Sequence, residues 1–339
     1  MMEKKKRKAP VRKMKNNDRE HFLTDSIYER SVIKQLHLRS DKSRLFAAYN
    51  GGSAVARAGD TAGYEAAVSR CLFLKQGEDF IIDKNTVLDM ERSLACRGAY
   101  ISSFRAEVLA GNTFREEELR SLVVSLSEVA AAYNADVTGF NVFYDSTDET
   151  RVILTAAGSV KKVSAALWQM ASIYPSEDIV VTGVAARSGM KQVFKENEKE
   201  IRRNFSELFC MRVENIVADR LPYVEMEVLP SFFATAIQPA GAGGIEAAFM
   251  RLGDRKKAGM QIDLDKLSLD QESVELAEYF NLNPLRMDSY GCYVIALPDS
   301  EAAVSALRRA GINAVCVGKV TKELKRVINC QDETRYMTL

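Results

Sequence analysis

Gln238-Pro239-Ala240-Gly241-Ala242-Gly243-Gly244-Ile245-Glu246-Ala247-Ala248-Phe249 is the stretch that decides how this chain reads. Three glycines fall within four residues, ahead of a segment whose apolar positions repeat at helical spacing. Two readings of the turn stand side by side. Glycine lets backbone N–H groups and a helix N-terminus come close to an anion, usually a phosphate. Glycine is also the residue that tolerates the positive φ of a tight strand-to-helix turn. The spacing is not that of a dinucleotide-binding fingerprint, and no suitable acid follows it. Gly241, Gly243 and Gly244 are the first candidate binding positions.

Downstream, residues 245–252 read as a helix, with Gly253 and Gly259 marking its end and exit. Residues 260–264 read as a strand, 271–280 as a helix, 292–297 as a strand, 300–310 as a helix stopped by Gly311, and 314–317 as a last strand. From Thr321 the residues are charged and read as a tail. Upstream, a strand-like run over 232–237 lies between Pro230 and Pro239. Residues 178–184 read as a strand, followed by a long charged helix from Ser188 and a second helix over 205–219.

The first half reads similarly. A short helix spans 27–37, and a turn lies at Asn50-Gly51-Gly52-Ser53. Strands at 71–74 and 79–82 flank Gln76-Gly77-Glu78, and a helix over 85–97 stops at Gly98. A strand covers 100–109. Thr113 with Glu116 makes a capping box for a helix running to about Tyr133. Strands follow at 136–144 and 151–155, then a helix over 161–172 that carries the only tryptophan, Trp168. Tyr174-Pro175-Ser176 breaks the pattern. Strands alternating with helices imply sheets with helices packed on them. The expectation is an α/β chain with a basic tail (1–26), two domains (27–174 and 175–320) and a C-terminal tail (321–339).

Composition bounds the function classes. Of 339 residues, 47% are hydrophobic and 27% charged, the balance of a globular protein with room for two cores. No run approaches the roughly 18 apolar residues of a membrane span. The basic start lacks an apolar core behind it, which predicts no secretory signal. Six scattered cysteines without a CxxC pair, and only two histidines (His21 and His37), point away from a metal site or disulfide framework and towards thiols in a reducing cytoplasm. Residues 1–20 carry a net charge of +6 against −5 for the rest. That tail reads either as an arm for an acidic partner or as a solubilising extension. The acidic body shows no basic stripe of the kind nucleic acid requires.

Several motifs now support a named comparison. The Gly243-Gly244 helix start, Gly259-Met260-Gln261-Ile262-Asp263, Leu282-Asn283-Pro284-Leu285, Ser289-Tyr290-Gly291-Cys292 and Gly311-Ile312-Asn313-Ala314 with Gly318-Lys319-Val320 resemble the second domain of the AIR synthase superfamily. Among its members the hydrogenase-maturation type, the carbamoyl dehydratase, is most similar. Val181-Thr182-Gly183 and the charged helix after it resemble the start of that domain. The first half resembles the family more weakly, through Gly98-Ala99 and Thr138-Gly139.

The resemblance implies a two-domain AIR-synthase-like architecture, a homodimer built through the N-terminal sheets, and ATP and magnesium in a cleft between domains. The family's acids are replaced here. Its Gly-x-Asp turn reads Gly51-Gly52-Ser53, and its Asn-Asp pair reads Arg92-Ser93. Its Gly-Gly-x-Thr-Glu turn reads Thr138-Gly139-Phe140-Asn141-Val142, and its His-Asp-x-Thr-Glu reads Gln238 to Ala242. Magnesium binds through carboxylates and substrate oxygens, so these replacements put metal-dependent ATP chemistry in question. The family's terminal cysteine has no counterpart here, and Cys330 reads as an ordinary thiol. Arg92 and Gly139 join the glycines as candidate binding positions, with Arg92 placed to meet an anion with its own charge. No catalytic residue and no metal ligand is assigned. Three functions remain open: a non-catalytic or small-anion-binding relative, an ATP-dependent enzyme whose acids lie elsewhere, and an interaction module using its basic arm.

Overall fold

The computed structural model describes residues 54–57, 64–74, 81–144, 146–160, 173–330 and 333–337. The helices expected over 27–37 and 161–172, the 50–53 turn, both histidines, Trp168 and the basic tail lie outside the described residues.

The first half forms strand β1 (Ala54–Arg57), β2 (Tyr64–Leu74), helix α1 (Lys84–Ala95), β3 (Ser103–Ala110), α2 (Glu116–Ala132), β4 (Asp136–Tyr144) and β5 (Thr150–Ser159). The strands make one sheet in the order β1-β2-β5-β3-β4, with β3–β4 the parallel pair. Alternation decides its faces. Ala66 and Val68, Phe104, Ala106 and Val108, and Val152, Leu154 and Ala156 point to one side. There they pack with Met90 and Leu94 of α1 and Leu122 and Leu126 of α2.

The other face carries a row across four strands. Phe73 pairs with Arg151, Arg151 with Leu109, and Leu109 with Phe143. The Arg151 guanidinium lies 5.7 Å from the Phe73 ring centre. Phe73 is 42% and Phe143 51% exposed, so no helix covers this face among the described residues.

The second half runs β6 (Asp178–Thr182), α3 (Arg187–Glu196), α4 (Glu198–Asn204), α5 (Glu207–Asn215), α6 (Tyr223–Val228), β7 (Ala236–Pro239), α7 (Gly244–Lys256), β8 (Gly259–Asp263), α8 (Gln271–Tyr279), β9 (Tyr293–Leu297), α9 (Ser300–Arg309), β10 (Ala314–Thr321), β11 (Arg326–Cys330) and β12 (Glu333–Tyr336). These strands form a second sheet in the order β12-β11-β8-β10-β6-β9-β7. Ile245, Phe249 and Leu252 of α7 fill one face of it. Ala303, Val304 and Leu307 of α9 and Met226 of α6 fill the other. Strand β9 lies between the two layers, and all five of its residues are buried. A third cluster joins α3, α5 and α8 through Met190, Phe194, Cys210, Val213 and Leu276.

Several expectations are corrected. Residues 81 and 82, expected as the end of the 79–82 strand, lead with the N-cap Asp83 straight into α1, and the Ile82 N–H donates to Ser125 Oγ at 2.9 Å. Helix α2 starts two residues later than Thr113 implies: Arg115 is its N-cap, and its N–H donates to Glu118 at 2.7 Å. The charged helix from Ser188 breaks at Asn197 into α3 and α4. The helix expected over 205–219 shortens to α5, where Ser206 accepts from the Phe209 N–H. Residues 229–232 form a 3-10 turn and Phe233 takes φ 54°, so the strand expected at 232 begins at Ala236. Gly253 lies inside α7, which ends at Lys257 in the left-handed region. The residues after Thr321 are not all a tail: β11 pairs parallel to β8 and β12 antiparallel to β11.

Candidate functional site

Helix α1 is where the two sheets meet, and two consecutive residues make the junction. Glu91 accepts from Tyr223 Oη at 2.5 Å and from Tyr133 Oη at 2.7 Å. Burial raises both phenol pKa values, and the hydrogen bonds to the Glu91 carboxylate raise them further. Both tyrosines therefore remain donors across the physiological range. The Tyr223 ring also stacks on Tyr100, with centres 5.0 Å apart.

Arg92 is 3% exposed. Its Nη2 donates to Asp219 Oδ1 at 3.0 Å, and its guanidinium carbon lies 4.8 Å from the Tyr290 ring centre. Cation–π geometry suits a desolvated arginine. The Arg92 Nε is buried and has no hydrogen-bond partner among the described residues.

Tyr290 connects Arg92 to the glycine turn. A Cβ built on Gly241 would sit 3.1 Å from Tyr290 Cε1, so this glycine lets the ring lie against the backbone. The N–H of Gly243 donates to Asp288 Oδ1 at 3.2 Å, and the carbonyl of Ala242 accepts from Arg251. Gly244 has φ 73°, and its missing Cβ would stand 2.3 Å from the Leu285 carbonyl oxygen and 2.6 Å from that of Met287. The start of α7 thus faces one carboxylate and two carbonyl oxygens supplied by residues 285–288.

The structure therefore brings Arg92, Tyr290 and the glycine turn into one neighbourhood. Gly139 lies elsewhere. It pairs with Arg105 in the first sheet, on the open face away from α1, and a Cβ there would touch the Arg105 side chain at 3.2 Å.

Beside the junction lies a buried ion pair. Glu225 has no exposed surface and accepts from Thr182 Oγ1 at 2.8 Å. Both terminal nitrogens of Arg220 also donate to it, one of them at 3.0 Å. Arg220 lies over the Tyr293 ring, whose hydroxyl donates to the Arg220 carbonyl at 2.9 Å. In the same region burial pushes the Cys292 thiol up to about 12, which disfavours the thiolate.

The first turn of α7 holds a second buried carboxylate. Glu246 is 1% exposed and accepts from Arg335 Nη1 at 2.8 Å and from Arg286 Nε at 3.2 Å. Burial pushes its pKa up, but the hydrogen bonds and charges of Arg335 and Arg286 outweigh that and hold it below the usual value. The stabilisation is therefore present above the unfolded carboxylate pKa near 4.3 and is lost as pH falls through the lower folded value. Glu246→Gln should be less stable than the parent at pH 7, with the gap closing below about pH 4. Urea midpoints measured across pH check this. A gap that stays constant with pH would remove the charge from the argument.

Arg92 and the glycines were candidates from the sequence alone. The sequence did not single out Glu91, Asp219, Tyr223 and Asp288, which the structure places around them. Their partners lie 127 and 132 residues away for Arg92–Asp219 and Glu91–Tyr223, and no local pattern encodes such pairings. Tyr290 stood within a recognised motif, without a signal that its ring would meet Arg92.

With the geometry in place, the chain can be set beside known proteins. No family model matches it. It is 23% identical over 240 residues, 69% of each chain, to a putative hydrogenase expression/formation protein of Methanocaldococcus jannaschii. The chain in a HypE–HypF complex superposes with a TM-score of 0.61 at 14% identity, covering 92% of this chain and 99% of that one. The hydrogenase maturation protein HypE in complex with ATP gives 0.57 at 15% identity, covering 84% and 87%. Thiamine monophosphate kinase from Aquifex aeolicus gives 0.58 at 12% identity, covering 90% and 96%. The chain has the AIR-synthase-like α/β fold and resembles HypE, as its motifs imply.

Proposed function

We propose that this chain is a hydrogenase-maturation-related protein whose junction between sheets no longer runs metal-dependent ATP chemistry, and that it works as a non-catalytic or small-anion-binding partner. The observation that carries the reading is Arg92. A guanidinium buried between the sheets repels a divalent cation placed beside it, because like charges interact strongly where water is excluded. Asp219 and the Tyr290 ring already occupy its surroundings. Asp288 supports the same reading, since it holds a backbone N–H of the turn that a phosphate would otherwise use.

Among the described residues no helix is long and apolar enough to cross a membrane. A cytoplasmic location and a homodimer form part of the proposal. The open face of the first sheet, with Phe73 and Phe143 half exposed, supports the dimer, because apolar faces of this kind are buried in assemblies. A protein partner is consistent with one structural relative having been seen in a HypE–HypF complex.

A thermal-shift screen of the full chain with ATP, ADP and AMP, each with and without magnesium, tests the reading. Magnesium is expected to add nothing. A magnesium-dependent gain for ATP, about 2.7 kcal/mol at a hundred times Kd, would overturn it in favour of an ATP-dependent enzyme with acids elsewhere.

A further inference from the structure

We propose that Arg92 is the binding group for a small oxyanion, a carboxylate or a phosphate monoester, at the seam between the two sheets. The inference rests on the metal-free reading of the junction and names the side chain that takes the ligand. Nε and Nη2 share one edge of a guanidinium and together form the fork that matches two oxygens of a carboxylate or phosphate.

Two other arginines in this molecule show that edge closed. Arg70 donates Nε and Nη2 to Asp89, at 2.8 and 2.5 Å. Arg187 donates Nε and Nη2 to the two oxygens of Asp270, at 2.6 and 3.1 Å. Arg92 is more deeply buried than either, yet among the described residues only its Nη2 has an acceptor; its Nε, like that of Arg151 on the open face of the first sheet, has none. A buried charged donor without a partner is costly, and proteins retain such groups where a water or ion completes them.

Three groups surround the guanidinium. Tyr290 makes one wall, with its ring over the guanidinium. The neighbouring Glu91 carboxylate is held by two tyrosine hydroxyls. Asp219, the one acceptor on Arg92 among the described residues, has a side chain 49% exposed and can yield its place without unpacking a core. An incoming oxyanion would then take both Nε and Nη2.

The experiment uses the full chain without magnesium, titrated with inorganic phosphate and separately with acetate, against chloride at equal ionic strength. Thermal shift and calorimetry give the affinity. Saturable stabilisation by at least one anion is expected, and which of the two binds identifies the class. Arg92→Lys keeps the charge but loses the fork, and should weaken binding at least tenfold. Asp219→Asn removes the competing carboxylate from a half-exposed position and should tighten binding several-fold. No saturable response to either anion in both the parent and Asp219→Asn overturns the proposal. So does unchanged affinity in Asp219→Asn, which remains informative if Arg92→Lys does not fold. Magnesium-dependent ATP binding sinks the metal-free reading instead. An absent anion response with nucleotides indifferent to magnesium sinks only this inference.

Discussion

Glu225→Ala is expected to destabilise the protein by about 3–5 kcal/mol, the range found when one partner of a buried ion pair is removed. Glu225 is fully buried and accepts from both terminal nitrogens of Arg220 and from the Thr182 hydroxyl. Truncation leaves a guanidinium and a hydroxyl facing each other without their common acceptor. Arg220 Nη2 still reaches Thr182 Oγ1 at 3.1 Å, but that contact does not neutralise the charge. The Arg220 side chain is 27% exposed, so partial escape to solvent sets the lower end of the range. Glu225→Gln should cost less, because the amide oxygen can still accept from Thr182 or Arg220. Replacing both residues together by apolar side chains should recover much of the loss, since buried ion pairs contribute little net stability over a packed apolar substitute. Urea unfolding of the parent and these three variants measures each cost. A cost below about 1 kcal/mol for Glu225→Ala would mean the pair is not buried in solution as described. The effect reaches the junction, because Asp219, the partner of Arg92, immediately precedes Arg220.

The sequence made the local frame legible. Apolar spacing placed α1, α7, α8 and α9 within a few residues, and α1 and α9 also carry their own side-chain caps. Asp299, for example, accepts from Glu301 N–H at the start of α9. Errors arose where tertiary packing outweighed local preference. Thr113 has the chemistry of a cap, but the helix begins where Glu118 can reach the Arg115 N–H. Residues 326–336 look like a charged tail because β12 is exposed on both faces. Arg335 reaches the buried Glu246 and Met337 enters the core, which ties the segment down. At the candidate site, Arg92 was legible as a basic residue where the family resemblance implies an asparagine. That it would be buried under Tyr290 was not, because ring and guanidinium come from different halves of the chain.

Gly244→Ala is the sharpest test of what the glycine turn is for, and it should cost about 2–5 kcal/mol. Two independent penalties act at this residue. Its φ of 73° is a conformation in which an L side chain is strained. Its Cβ would also stand 2.3 and 2.6 Å from the carbonyl oxygens of Leu285 and Met287, and backbone oxygens cannot rotate away as a side chain can. Gly243 makes the control. It has a similar φ of 78°, but its Cβ would meet only Ala247 Cβ at 3.1 Å, so Gly243→Ala should cost about 1–2 kcal/mol from strain alone. If the glycines allow residues 285–288 to pack against the start of α7, the Gly244 variant loses stability without any ligand and the order 244 above 243 holds. If the turn is an anion cradle as well, both variants also lose their response to phosphate. Thermal melts with and without phosphate separate the two. The bond from Gly243 N–H to Asp288 favours packing, because a carboxylate of the chain already occupies the donor that a cradle would offer. On the proposal above, an anion therefore meets Arg92 and the Tyr290 ring rather than the glycines.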